Sequence, residues 1–204
     1  MAQKENEGGS SLPNGLSVAS FTDELRKWGV EAFSGRYNHP FLLLAEEPEN
    51  PADCINPRTD EVTNHEIRTA AKRKVLHSLD TLVIGLAKSD RNAFDSKVTV
   101  GRAKNNDVII RSPEISKLHA VFAQGDDGVW YVTDMGSANG TLVNSLPVGE
   151  KPVEVKSGDK IGFSKENNLV SGDPIKSGDR ISFCRYMFEF MDAESFLGLL
   201  RKFV

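Results

Sequence analysis

A guanidinium at Arg102, a hydroxyl at Ser116, an ammonium at Lys117 and a carboxamide at Asn139 stand within one stretch of this chain, in the polar turns between short apolar runs. A phosphate monoester offers about two negative charges and three strong acceptor oxygens, so a site that reads it needs a guanidinium fork, a hydroxyl and a second cation or amide. Arg102, Ser116 and Lys117 supply them. Lys104 and Arg111 add to a local cationic cluster on a chain whose net charge is -4. The rival chemistry is hydrolysis, with Ser116, His119 and Asp134 as a triad. It lacks a Gly-x-Ser-x-Gly elbow and an evident oxyanion turn. No Walker loop or kinase motif set is present, so the chain is expected to read phosphorylation without writing it, with no catalytic residues.

The elements that must hold these groups are short strands. Val98-Thr99-Val100 alternates like a half-buried strand and ends in Gly101-Arg102, where the glycine eases a turn and the arginine is delivered to the strand end. Asp107 to Ile110, Ala120 to Phe122 and Trp130 to Thr133 follow, rich in β-branched and aromatic residues, with Gly-containing polar turns between them. This predicts a mainly β fold, a sandwich whose loops carry the function from one rim. Thr81 to Leu86 opens it and Arg185 to Phe190 closes it.

Gly101-Arg102, then Ser116-Lys117-Leu118-His119, then Asn139-Gly140-Thr141 resembles the signature of the forkhead-associated (FHA) domain, in the family's order. The resemblance extends over roughly residues 78–192, and is similar to that of bacterial stand-alone FHA proteins. It implies a β-sandwich of two antiparallel sheets that binds phosphothreonine peptides. Arg102 and Ser116 would contact the phosphate with Lys117 beside them, and Asn139 would bind the ligand backbone. Gly101, His119, Gly140 and Thr141 would support the site, the His119 ring tying the Ser116 loop to its neighbour. Where many members carry Thr or Arg before the turn asparagine, this chain has Ala138, which removes one contact; Ser137 stands next to it as a substitute phosphopeptide contact. Glu114 takes the place that faces the third ligand residue after the phosphothreonine, where a carboxylate repels acidic residues; the plainer reading is a solvated side chain. The partners implied are phosphothreonine-containing proteins of a Ser/Thr kinase pathway. The alternative is a phosphate-independent interaction scaffold.

The chain has 204 residues, 39% hydrophobic and 26% charged, which suits one sandwich plus an extension. The mild acidity gives no reason to expect nucleic-acid or membrane binding. No apolar run reaches a membrane span and the N-terminal stretch lacks a signal-peptide core, so a cytoplasmic monomer is expected. The Asn139-Gly140-Thr141 sequon then has no glycosylation role. His39, His65 and His77 form no ligand set, and Cys54 and Cys184 match no metal spacing. Neither metal nor cofactor is expected, and both cysteines read as reduced thiols.

Residues 1–19 are polar and Gly/Ser-rich, and read as a flexible tail. Residues 20–77 read as an arm packed on the sandwich, with a capped amphipathic helix from Ser20 to about Trp28 and a second helix from His65 to Lys74. The apolar run Phe41 to Leu44 needs a cover. Val155 to Phe163 is echoed by Ile175 to Phe183, two copies of a Lys-Ser-Gly-Asp turn, of which the second is the better candidate for the regular strand turn. Residues 193–204 place Phe196, Leu197, Leu199, Leu200 and Phe203 on one helical face that should dock.

Overall fold

The computed structural model describes residues 15–46, 76–149, 172–184 and 186–204. Twelve strands run through them in chain order: β1 Leu16–Ser17, β2 Phe41–Glu46, β3 Leu82–Gly85, β4 Lys97–Gly101, β5 Val108–Ile109, β6 Ala120–Gln124, β7 Trp130–Asp134, β8 Thr141–Val143, β9 Leu146–Pro147, β10 Asp173–Ile175, β11 Arg180–Phe183 and β12 Tyr186–Met191. Helix α1 is Val18–Arg36 and helix α2 is Ala193–Leu200. The strands form two sheets, ordered β1-β3-β2-β12-β11-β8-β9 and β10-β7-β6-β4-β5. All pairings are antiparallel except β4 with β5, which is parallel, so the second sheet is mixed rather than purely antiparallel. The expected sandwich is present.

Two cores result from one sheet being covered on both faces. Phe122, Val132, Ile181, Phe183 and Phe188 fill the space between the sheets. Phe21, Leu25, Phe33, Phe196 and Leu200, from the two helices, pack on the outer face of the seven-stranded sheet with Phe41, Leu43 and Val83. Strand β2 lies between β12 and β3 and is therefore buried on both sides, Leu42 toward the inter-sheet core and Phe41 and Leu43 toward the helices. That double burial explains why Phe41 to Leu44 reads as an unbroken apolar run, and why it was not separable from a packed arm by sequence.

Several boundaries move. Residues 15–19, assigned to a flexible tail, hold β1, which pairs with β3, and the first turn of α1. The helix starts one turn before the expected capping box: Ser17 is the N-cap and its hydroxyl accepts the Ser20 N–H. Where it was expected to stop, near Trp28, Gly29 adopts φ 79° and kinks it, and helix resumes to Arg36. The expected second helix at 65–74, the first Lys-Ser-Gly-Asp copy, and residues 1–14 lie outside the described residues. The second copy forms the turn into β11. Gly178 there has φ 93°, and the Asp179 carboxylate accepts the Lys176 N–H and the Asn144 amide. Cys184, expected to be a reduced thiol, is disulfide-bonded; Cys54 lies outside the described residues.

Asp107 fastens the loop before β4 to the strand itself. Its carboxylate accepts the backbone N–H of Ser89 (2.7 Å) and of Thr99 (2.8 Å), both their hydroxyls, and the Asn92 amide. Burial pushes this carboxyl's pKa up, but the Ser89 and Thr99 donors outweigh it and the net shift is below the ordinary 3.8. The charged form thus belongs to the fold. Its contribution is complete above the unfolded carboxylate value and is lost as pH falls through the lower folded value. Asp192, the N-cap of α2, shifts the same way: burial opposes, and Ser177 and Ser195 prevail. The thermal midpoint is therefore expected to fall steeply as the solution is acidified through and below pH ~4. Asp107→Asn should flatten that fall and lower stability at neutral pH by about 1.5–3 kcal/mol. Parallel acid profiles for the two proteins would exclude this role for Asp107.

Candidate functional site

Three loops converge at one rim, and buried side chains bind them together. The first leaves β4 at Gly101-Arg102. A Cβ on Gly101 would lie 2.4 Å from the Lys117 carbonyl oxygen and 2.9 Å from Asn106 Nδ2. Glycine is thus required for close approach of two loops, rather than for a turn with positive φ. The two loops then join through their backbones, Arg102 N–H donating to Ser116 O (3.0 Å) and Ala103 N–H to Lys117 O (3.2 Å). Asn106, buried to 3% exposure, donates its amide to Ala103 O and Lys117 O.

His119 joins the second loop to the third. Its ring is fully buried, edge-on to Phe183. Nδ1 accepts the Ser116 N–H (3.2 Å), so the proton resides on Nε2, which donates to the Gly140 carbonyl (3.0 Å). Burial depresses its pKa below 6.5, against smaller opposing effects from Gly140 and Asp134. Both ring nitrogens are occupied and neither touches the Ser116 hydroxyl, so His119 cannot serve as that hydroxyl's base.

The third loop is built on Asp134, which the sequence offered only as a triad member. Its carboxylate accepts the Ser137 N–H (2.9 Å), the Ser137 hydroxyl and the Thr141 hydroxyl (2.8 Å). Thr141 thus braces the turn, and Gly140 turns it with φ 74°. Ser137 is 0% exposed, its hydroxyl directed at Asp134. This corrects its expected place among the ligand contacts: a buried hydroxyl already donating to a carboxylate has nothing to offer a surface phosphate. Asn139 donates its amide to Glu114 O (2.8 Å), and Ala138 N–H donates to Ser116 Oγ (3.0 Å). The Glu114 carboxylate lies 3.4 Å from Ser112 Oγ and 3.9 Å from Cys184 Sγ.

Arg102 and Lys117 are exposed on this rim, with Ser116 partly so, and neither cation makes an ion pair among the described residues. Residues 98–164 match the family model of the FHA domain. That stretch of the chain is similar to an FHA domain. A protein phosphatase 2C of Arabidopsis thaliana is 31% identical over 103 residues, 48% of this chain and 18% of that protein. An FHA domain-containing protein of the same plant is 34% identical over 77 residues, 37% of this chain and 20% of its own length. The chain thus spans about a fifth of the curated relatives it matches. Among solved structures, the N-terminal FHA domain of S. cerevisiae Rad53p, in complex with a phosphothreonine peptide, is 18% identical with a TM-score of 0.38, covering 57% of this chain and 89% of that one. The sandwich takes in strands on both sides of the matched stretch, β2 and β3 before it and β10 to β12 after it. Asn106 and Asp134 support this site and belong to none of the three motifs. Their only sequence signal was a polar residue next to a strand.

No helix among the described residues is long and apolar enough to cross a membrane, and no cluster of His, Cys, Asp or Glu there could hold a metal ion.

Proposed function

We propose that the rim of the FHA domain binds phosphothreonine peptides, with Arg102 and Ser116 on the phosphate, Lys117 beside them and Asn139 on the ligand backbone. The observation that carries this reading is the pair of exposed cations, unpaired among the described residues, on loops that His119 and Asn106 hold rigid from below. Such a surface has its donors in place before a ligand arrives, which lowers the ordering cost of binding. The Ser116 hydroxyl accepts from Ala138, so its own proton is left to donate to an oxyanion. Asn139 uses its amide nitrogen on Glu114 O, which leaves its carbonyl oxygen for a ligand N–H. In this reading the chain recruits or senses proteins phosphorylated by Ser/Thr kinases, acts as a cytoplasmic monomer, and catalyses nothing. Glu114, whose carbonyl anchors Asn139, is the residue we place toward the third ligand position.

The test is calorimetric titration with matched phosphothreonine, phosphoserine and unphosphorylated peptides drawn from a library. The phosphothreonine peptide should bind tightest. Its phosphoserine twin should bind about fivefold or more weakly, because one buried methyl is worth roughly 1 kcal/mol. Equal binding of the unphosphorylated peptide would replace this reading with a phosphate-independent scaffold.

A further inference from the structure

A cavity of about 450 Å³ opens where the two sheets part, between β3 and β5. One wall is aromatic and comes from the end of α1 and the start of β2: Tyr37, His39 and Phe41. Opposite stand Ile109 on β5 and two exposed arginines, Arg91 and Arg111. The aromatic wall lies outside the stretch 98–164 that matches the FHA model, so the cavity is closed on one side by the chain's N-terminal elements and on the other by Ile109 and Arg111 of the matched stretch.

Its construction is specific. The His39 ring rests on Gly85, where an added Cβ would lie 2.6 Å from the ring. His39 Nδ1 donates to the Pro40 carbonyl (3.0 Å), and the ring packs on Phe41 at 4.8 Å and edge-on to Tyr37 at 6.1 Å. Neither arginine makes an ion pair among the described residues. Asp107 is the one carboxylate among the lining residues, and its oxygens are already taken by Ser89, Thr99 and Asn92. Arg91 reaches only Ser89 Oγ and the Asp107 carbonyl, at 3.3 and 3.4 Å. The cavity therefore pairs an apolar floor with two guanidinium groups that have no carboxylate partner among the described residues.

We propose that this cavity is a second recognition site, which takes an acidic side chain flanked by an aromatic or large aliphatic one from a protein ligand. Charge complementarity calls for the acid, and the aromatic wall for its apolar neighbour. A peptide rather than a free metabolite follows from β5: among the described residues it is the last strand of its sheet, so its outer edge has no strand partner there and can receive an extended backbone. Arg111 and Ser116 lie in one loop five residues apart, a span of at most about 18 Å. One ligand could engage both sites, although this proposal does not depend on phosphate binding at Arg102.

The probes are a capped Asp-Phe-Asp peptide, its Asn-Phe-Asn analogue and phenylacetate, titrated into the full chain and followed by amide NMR shifts. The acidic peptide should give saturable shifts at Gly85, Ile109 and Arg111, and bind at least about fivefold tighter than the amide analogue. It should also bind tighter than phenylacetate, which has the acid and the ring without a backbone. Arg91→Gln with Arg111→Gln, both exposed and safe for folding, should abolish the difference between acid and amide, whereas Arg102→Ala should leave it intact. Equal binding of acid and amide peptides, no saturable shift at these positions, or phenylacetate binding as tightly as the peptide would each overturn the proposal. Loss of phosphothreonine binding alone would not touch it, so the two readings fail separately.

Discussion

Replacing Arg102 with alanine is expected to lower affinity for a phosphothreonine peptide tenfold to a hundredfold, with no change in thermal stability. The side chain is exposed and makes no hydrogen bond or ion pair among the described residues: its backbone N–H, which an alanine keeps, makes the bond to Ser116 O. What is lost is a charge-assisted contact to phosphate worth about 1.5–3 kcal/mol. Lysine at this position should recover part of the loss, since it restores charge without the planar fork. Calorimetric titration beside a melting curve reads both quantities. A folded Arg102→Ala protein with wild-type affinity would remove the site from this rim.

His119→Ala should act in the opposite proportion, on stability first. The ring is fully buried against Phe183 and joins Ser116 N to Gly140 O, so its removal opens a cavity and leaves a donor and an acceptor without partners. The expected cost is about 3 kcal/mol, and phosphopeptide affinity falls with it because the loops carrying Ser116 and Asn139 come apart. Its protonation should mimic this. Because burial holds the folded pKa below 6.5, the neutral ring belongs to the fold. Stability from it is present above that value and declines as pH falls through the folded one. The wild type should therefore lose phosphopeptide affinity on mild acidification beyond what phosphate protonation alone causes. An alanine variant with unchanged melting and unchanged binding would show that His119 is not the joint between the loops.

Two further residues show how motif reading can name a position for the wrong reason. Gly101 was expected to ease a turn, yet it is demanded by the Lys117 carbonyl 2.4 Å from where a Cβ would sit. Ser137 neighbours Ala138 in sequence, but adjacency in a tight turn sends successive side chains in different directions. Ser137 went inward, to Asp134.

Much of this protein is legible without coordinates. Short runs of β-branched and aromatic residues between Val98 and Thr133, parted by polar Gly-containing turns, carry the mainly β character, because such side chains fit a pleated, buried surface. The spacing of Gly101-Arg102, Ser116 to His119 and Asn139-Gly140 identified the three loops, because each motif sits where a strand ends. Local chemistry of that kind is written in consecutive residues. What only the tertiary structure decided depends on residues far apart in the chain. Phe41 to Glu46 became a strand between β12 and β3, a pairing no local pattern specifies. Asn106 and Asp134 became braces because folding brought Lys117, Ser137 and Thr141 to them. The cavity walled by Tyr37 and His39 opposite Arg111 has the same origin. Sequence periodicity reports which face of an element is buried; it does not report which distant element buries it, and that second choice is what assembles a site.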